Sequence, residues 1–451
     1  MALLAVEKTN NDNKKYLNIF LPFTAFTMTH AEQPPCLYLE VCSQNEQLRL
    51  PLHSSIVLFL LSYCDCESFR VFLVLSDGSS SEPLKSQLPA SVSLSDVQVD
   101  ELPKLVSSCR LPAALDESAQ ICRAGLAVVL RHIIDRSIEA DPSRKDVAAL
   151  LGFKKTCLKA CAEVGAILHS ITSLYHWNVL LKKSYTNVGV CVFHQENGIE
   201  AIFASHPCPS WNLPWDSLPS AINPTEGKMS NIRATRKMQQ LNNLIAMVTD
   251  LARPGDTIVD FCSGTGHVGI VLAHTFPDCQ IILIENKEES LVRARSRSAQ
   301  LGLKNIGFIQ TNLDYFTGPF HIGVALHACG IATDMVLEHC IQAKSAFVIS
   351  PCCYGFIQNA VKFTFPKSEQ FRKTLTYKEH MILCRFADQT AVQLPPERRL
   401  IGKQCMGLVD LDRSWAAEAS GYSVQVITME PESCSPKNNM LVGRPPQKRG
   451  C

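Results

Sequence analysis

D-F-C-S-G-T-G-H-V-G, Asp260 to Gly269, stands between an apolar run and a helical one. The run before it, Asp256 to Phe261, carries β-branched Thr257, Ile258 and Val259 and predicts a short strand buried on both faces. Gly264 and Gly266 let the backbone turn tightly and approach a ligand where a Cβ atom would clash. After His267 the spacing V-G-I-V-L-A-H predicts a helix whose free first-turn amides face back over the loop and favour a carboxylate or phosphate. The next strand, Gln280 to Ile284, ends in Glu285, about 20 residues beyond the glycines, where a carboxylate accepts hydrogen bonds from two ribose hydroxyls. Strand, glycines, helix and acid together point to an adenosine-containing cofactor.

Working outward, strands and helices keep alternating as a doubly wound sheet requires. An amphipathic, basic helix is expected over Lys287 to Leu301, and strands over Ile306 to Gln310, His321 to Leu326, Ser345 to Ser350, Tyr422 to Met429 and Asn439 to Val442. The opening acid in D-x-x-x-G-x-G is similar to the first motif of class I methyltransferases, whereas dinucleotide enzymes usually show three glycines and no such acid. The last two strands resemble the antiparallel hairpin that closes a seven-stranded methyltransferase sheet. The resemblance implies an α/β, Rossmann-like class I domain with S-adenosylmethionine as cofactor. It places Asp260, Cys262, Gly264, Gly266, Glu285 and Asn312 around that cofactor, with Thr311 and Asp314 beside Asn312.

Two further strand ends flank the same crevice: His327 to Gly330, H-A-C-G, and Ser350 to Gly355, S-P-C-C-Y-G. Methyl transfer needs an acceptor held in line and dehydrated, so positioning is expected to dominate over covalent chemistry. His327, Ser350, Cys352 and Tyr354 are the expected acceptor-side residues. S-P-C-C-Y resembles the S/D/N-P-P-Y motif of amino-group methyltransferases, in which the ring stacks on the base, but lies one strand later. Cys352 or Cys353 with Cys329 also resembles the cysteine pair of cytosine-C5 RNA methyltransferases, which needs a depressed thiol pKa. H-x-C-G with a later C-C pair further resembles the eukaryotic tRNA ribose-methylating family. Ordinary core packing accounts for cysteines in such runs equally well.

G-H-V-G-I-V-L-A-H, I-E-N-K, A-L-H-A-C-G and P-C-C-Y-G-F-I-Q, taken together, resemble the family of glutathione S-transferase C-terminal domain-containing proteins over most of the chain. That likeness implies a methyltransferase-like domain preceded by a degenerate transferase-like one, in the cytoplasm, and supplies no substrate. In the front half, Leu37 to Cys42 and Phe69 to Leu75 read as strands around an apolar helix, Leu50 to Tyr63, before a D-G-S-S-S turn. L-P-A-A-L-D-E-S, Leu111 to Ser118, resembles the transferase segment with a cis-proline and an acid-serine pair for the γ-glutamyl group, which would be Pro112, Glu117 and Ser118. Arg123 to Ile138 and Asp146 to Leu181 read as helices, too few for a complete transferase helical domain, and suit a protein-interaction module. These patterns divide the chain into a loose segment 1–35, a thioredoxin-like domain 36–118, a helical glutathione-transferase-like region 119–185, a linker or lid 186–230 and a methyltransferase domain 231–451.

Ser205 to Pro219, S-H-P-C-P-S-W-N-L-P-W-D-S-L-P, cannot continue a helix or a central strand. Its Trp211 and Trp215 suit stacking on a nucleobase or anchoring to a core. Lys228, Arg233, Arg236 and Lys237 then open a helix and suit RNA phosphates or a solvated face. The chain has 451 residues, 46% hydrophobic, with net charge +1, so any RNA contact is local and the R-P-P-Q-K-R-G-C end is only a short basic tail. Its 20 cysteines are irregularly spaced within apolar patterns and favour a reducing compartment. Tyr16 to Met28 is too short to span a membrane. C-D-C at Cys64 to Cys66 and the pair Cys157 and Cys161 lack four-ligand spacing, and no metal is expected. The expected function is an S-adenosylmethionine-dependent methyltransferase acting on RNA; the alternative is a glutathione-binding or non-catalytic protein with a vestigial methyltransferase domain.

Overall fold

The computed structural model describes residues 34–44, 47–75, 81–85, 94–151, 199–227 and 230–446. The first 30 residues, most of the helix expected over Asp146 to Leu181, Cys157, Cys161, Lys228 and the end of the basic tail lie outside the described residues.

The front half supplies β1 (Cys36–Glu40), β2 (Cys42–Gln44), β3 (Gln47–Arg49), α1 (Leu52–Tyr63), β4 (Arg70–Leu75), β5 (Leu94–Gln98), β6 (Ala113–Asp116), β7 (Ile121–Ala124) and α2 (Leu126–Ala140). β1 pairs with β4 in parallel and with β6 antiparallel, β6 turns back into β7, and the Leu111–Pro112 bond before β6 is cis. This is a thioredoxin-like arrangement. Its core packs Val57 and Leu61 of α1 and Val129 and Ile133 of α2 on Leu37, Leu39, Val71 and Leu73. β5, with no strong apolar alternation of its own, adds to β4 at the sheet edge.

The back half begins with α3 (Asn231–Leu251), then β8 (Thr257–Phe261), α4 (His267–Thr275), β9 (Gln280–Glu285), α5 (Glu288–Gln300), β10 (Ile306–Gln310), β11 (Ile322–Ala328), α6 (Ala332–Ala343) and β12 (Ala346–Pro351). After α7 (Tyr377–Ala387) and α8 (Pro396–Glu418) come β13 (Ser423–Thr428) and β14 (Asn439–Arg444). The order β13-β14-β12-β11-β8-β9-β10, with β14 antiparallel to both neighbours and the rest parallel, is that of a class I methyltransferase sheet. The strands are buried on both faces, as their unbroken apolar runs require. Leu241 and Leu244 of α3, Ile270 of α4 and Leu291 of α5 cover one face; Val336 and Leu337 of α6 lie on the other. α7 and α8 build a separate small core with Tyr354, Phe371 and Leu383.

Among the described residues the two halves share one sheet of 12 strands, because β7 pairs in parallel with β10, Phe308 opposite Ile121 and Gln310 opposite Arg123. Each half has an edge strand that would otherwise expose unpaired backbone groups, and each edge satisfies the other. Thr311 Oγ1 donates to Ala124 O at 3.0 Å, and Arg123 makes a 2.7 Å ion pair with Glu288. Two sequence expectations are corrected here. Arg123 belongs to a strand, and the helix starts at Leu126, because the four residues I-C-R-A are held by partners on both sides. The boundary expected at 118/119 falls inside the β6–β7 hairpin.

Candidate functional site

The crevice lies at the carboxyl ends of β8, β9, β11 and β12. Cys262, Gly264 and Gly266 all adopt left-handed backbone, with φ of 55°, 55° and 76°. The two glycines do different work. A Cβ on Gly266 would lie 2.8 Å from Ala294 Cβ and 2.9 Å from Leu283 Cδ2, so this position lets α4 sit close to the sheet and α5. A Cβ on Gly264 would meet nothing within 4 Å, because that glycine faces open space. Glu285 is half-buried and accepts from Gly264 N at 2.9 Å, Asn286 N at 2.9 Å and Lys287 N at 3.0 Å. A carboxylate has about four lone-pair sites, so it organises the loop and retains capacity for hydroxyl donors.

Asp260 is fully buried, accepts from Gly269 N at 2.9 Å and thereby fastens the start of α4 to β8. Burial pushes its carboxyl up to about 8, with Glu285 adding to the rise and Lys237 opposing it. Lys237 of α3 is pushed down to about 8 by the same desolvation, in reach of Asp260 and Cys352. Burial, with the charges of Arg297 and Lys237, lowers His267 to about 3. Arg297 is spent on Thr265 O, Ala221 O and Ile222 O, which ties the loop to the preceding linker. Cys262 is pushed up to about 12 by burial, so it is a neutral thiol. Asn312 stands at the N-cap position of the short 3-10 turn Leu313–Tyr315, where its backbone carbonyl accepts from Tyr315 N, and is half-exposed.

On the acceptor side, β11 runs past Leu326, where the sequence pattern ends it, to Ala328. His327 stands at a register shift there with φ 73°, the kind of irregularity that re-aims a side chain. Its Nε2 lies 3.1 Å from Gln240 Oε1, and Gln240 Nε2 donates to Cys434 O. The glutamine oxygen accepts, so His327 carries its proton on Nε2 and keeps Nδ1 as acceptor; burial lowers the ring to about 4. Ser350 is completely buried on the next strand.

Tyr354 corrects the sequence expectation. It is 0% exposed and its hydroxyl donates to Asp410 at 2.6 Å, so no ring face is available to an acceptor. Asp410 also accepts from Asn439 and Arg413; Arg413 in turn binds Asp334 at 2.8 Å and Gly330 O at 3.2 Å. Asp388 accepts from Tyr354 N at 3.0 Å and Gly355 N at 2.7 Å. The whole S-P-C-C-Y-G shelf is thus pinned by charged residues of α8 and the end of α7, which sequence reasoning missed. The signal was present as D-L-D-R, Asp410 to Arg413, directly after the apolar run C-M-G-L-V, in the buried stretch of the helix.

Cys329, Cys352 and Cys353 come together, with Cys329 Sγ 2.9 Å from Cys352 Sγ and Cys352 Sγ 3.5 Å from Cys353 Sγ. Hydrogen bonding from Cys352 lowers the Cys329 thiol to about 6, and Cys352 itself is raised. A nucleophilic thiolate on Cys352, as the cytosine-C5 likeness requires, is not supported by this environment; Cys329 is the acidic thiol of the pair.

The other expected sites separate. Glu117 and Ser118 occupy the hairpin turn at the far end of β6 from Pro112, about 13 Å away at 3.3 Å per residue. The chain returns to Pro112 at Gly125, whose N donates to Pro112 O at 3.0 Å, and Ala124 and Gly125 offer neither carboxylate nor hydroxyl. The expected γ-glutamyl pair is therefore not assembled. Trp215 Nε1 donates to Asn242 Oδ1 at 2.9 Å, an anchor to α3, and Trp211 lines a small polar cavity with His206, Gln239 and Glu430. Among the described residues no helix is long and apolar enough to cross a membrane, and all cysteines are free.

Three buried polar atoms at strand carboxyl ends, Ser263 Oγ, Gln310 Oε1 and Ser350 Oγ, have no partner among the described residues. With the open space above Gly264 and the carboxylate at the end of β9, the crevice fits a polar nucleoside ligand. Residues 236–360 match a methyltransferase domain family. The chain is 44% identical to the glutathione S-transferase C-terminal domain-containing protein of Xenopus laevis, over 88% of this chain and 98% of that one. The chain belongs to that family. The human member is 42% identical over 91% of this chain and 98% of its own length. A ribosomal RNA small subunit methyltransferase G of Helicobacter acinonychis is 26% identical over 31% of this chain and 75% of its own. For this member of the glutathione S-transferase C-terminal domain-containing family, the C-terminal half is a methyltransferase domain and S-adenosylmethionine is its cofactor.

Proposed function

We propose that the protein transfers a methyl group from S-adenosylmethionine to RNA. Gly264, Glu285 and Asn312, with the backbone at Cys262, hold the cofactor; Asp260 and Gly266 are positioning residues that set the loop. When bound, S-adenosylmethionine supplies an electrophilic methyl group on a sulfonium. The chain's part is to orient and dehydrate the acceptor, a contribution worth several kcal/mol of barrier. His327 Nδ1 is the proton acceptor nearest in character to that task, because its ring is neutral at physiological pH.

The observation that carries an RNA acceptor is the first half of α3. Arg233 and Arg236 are exposed, Lys237 is half-buried in the crevice, and Arg233 and Lys237 share one helix face at i and i+4. This basic line leads phosphates from solvent to the cofactor loop. Phe356, 73% exposed and packed at its Cβ against Gly330, presents an aromatic ring at the crevice rim in place of the buried Tyr354. The partial likeness to a ribosomal RNA methyltransferase agrees with this substrate class.

The test is transfer of labelled methyl from S-adenosylmethionine to total RNA and to total protein from cells lacking this chain. Label in RNA that falls at least tenfold with Arg233→Ala plus Arg236→Ala, while cofactor affinity is kept, supports the proposal. Label in protein alone, or none in RNA with cofactor bound, refutes it.

A further inference from the structure

The three thiols at the ends of β11 and β12 are not core filler. Cys329 is exposed and Cys352 and Cys353 are half-buried, at the rim of the crevice. Their sulfur atoms all lie within 4.8 Å of one another. Ala328 pairs with Pro351, so Cys329 and Cys352 follow on adjacent parallel strands at opposing positions, although 23 residues separate them in the chain.

The backbone that carries them is held independently of the thiols. Gly330 N donates to Cys353 O at 2.9 Å, Arg413 holds Gly330 O, and Asp388 takes the amides of Tyr354 and Gly355. Three soft donors on a rigid frame, bonded to one another and, through Cys329 Sγ, to His327 O at 3.5 Å, form an arrangement suited to a soft cation.

We propose that Cys329, Cys352 and Cys353 are the protein ligands of a Zn2+ site at the acceptor end of the crevice. Zinc at about 2.3 Å from each thiolate in tetrahedral geometry sets the sulfur atoms roughly 3.8 Å apart. The Cys352–Cys353 spacing of 3.5 Å is close to that, and the 2.9 Å Cys329–Cys352 spacing opens by a rotation of the exposed Cys329 side chain. Three thiolates and one dication leave one net negative charge. Lys237, in electrostatic reach of Cys352, and Lys437, in reach of Cys353, flank it. Each ligand thiol releases its proton to solvent as the sulfur–metal bond forms. Three protein ligands leave the fourth position to a water or to a sulfur or nitrogen donor of the acceptor, as in catalytic zinc sites. That use of the open position rests on the methyltransferase reading; the cation site does not.

The experiment titrates reduced full-length protein with Co2+, reading the thiolate-to-cobalt charge-transfer band, then displaces it with Zn2+. Alkylation with and without Zn2+ is mapped by peptide mass on the same protein. The expected result is one Co2+ per chain at this site, a band lost in Cys329→Ser and in Cys353→Ser and kept in Cys42→Ser, and Zn2+ protection of Cys329, Cys352 and Cys353. Titration with S-adenosylhomocysteine on the same samples reports the cofactor site separately, so loss of one is distinguishable from loss of the other. Absence of the band at saturating Co2+, equal alkylation of the three thiols with and without Zn2+, or a Cys329–Cys352 disulfide formed in preference to metal loading overturns the proposal. The alkylation arm needs no variant, so a misfolded substitution does not leave the matter open.

Discussion

Replacing Asp260 by Asn should become steadily more stabilising between pH 5 and pH 8. The folded carboxyl ionises near 8 because burial penalises its charge, against roughly 3.9 in an unfolded chain. Between those values the folded protein holds a proton that the unfolded chain has released. The associated stability is therefore fully present below about pH 3.9 and is lost as pH rises toward 8. At 1.36 kcal/mol per unit, the three units from pH 5 to 8 cost about 4 kcal/mol. Asparagine keeps an oxygen for Gly269 N, now at 2.9 Å, and removes the titration. Its amide hydrogens, however, enter a buried site without an acceptor, at about 1–3 kcal/mol. By pH 5 the parent has already lost about 1.5 of the roughly 5 kcal/mol it loses by pH 8, so the variant is expected to lie between about 1.5 kcal/mol less and about 0.5 kcal/mol more stable at pH 5, and to be about 2–4 kcal/mol more stable at pH 8. At about 2 °C per kcal/mol for a large domain, the difference in Tm between variant and parent swings by roughly 8 °C. Thermal unfolding of both cofactor-free proteins across this range is the assay, and titrating groups other than Glu285 and Lys237, which interact with Asp260, cancel in the difference. A Tm difference that stays flat with pH would mean that Asp260 is already ionised when folded, and would refute the burial argument.

The two loop glycines should part company. Gly264→Ala puts a methyl group into open space over the crevice and is expected to cost about 1 kcal/mol of stability while weakening S-adenosylmethionine binding at least tenfold by titration. Gly266→Ala drives its Cβ into Ala294 and Leu283 and is expected to lower the denaturation midpoint by about 1–3 kcal/mol of stability through overpacking. Tyr354→Phe removes the donor to Asp410 and should cost about 1–2 kcal/mol in denaturant unfolding, with cofactor affinity unchanged; a large drop in cofactor affinity would restore Tyr354 to the site itself. Because β7 is paired on both sides, amides of Ile121 to Ala124 should exchange with deuterium as slowly as those of β10. Faster exchange by several orders of magnitude would show that the junction opens locally.

Much of the methyltransferase half was legible because its information is local. A parallel strand buried on both faces must be apolar along its length, so Ile306 to Gln310 was located to the residue and β8 to within one. The glycines and Glu285 were legible because tight turns and ligand-facing carboxylates restrict residue type at fixed spacing. The front half was legible only to the level of fold. Leu111 and Pro112 stand out in sequence, but Glu117 and Ser118 follow them so closely that only the hairpin shows they lie at the other end of the strand.

Tertiary structure alone decided how the pieces answer one another. No pattern in I-C-R-A reveals that β7 completes an edge of the methyltransferase sheet, since pairing between strands distant in the chain depends on which edges are left bare. Tyr354 carries the same letter whether it faces a substrate or Asp410, and burial settled it. Cys329 and Cys352, 23 residues apart, became neighbours because β11 and β12 end side by side. The sequence by itself determined the order of strands and helices and the cofactor loop, through periodicity and backbone freedom. Which side chains share a crevice, which charges are desolvated and which edges meet are long-range outcomes of packing, and those only the fold decided.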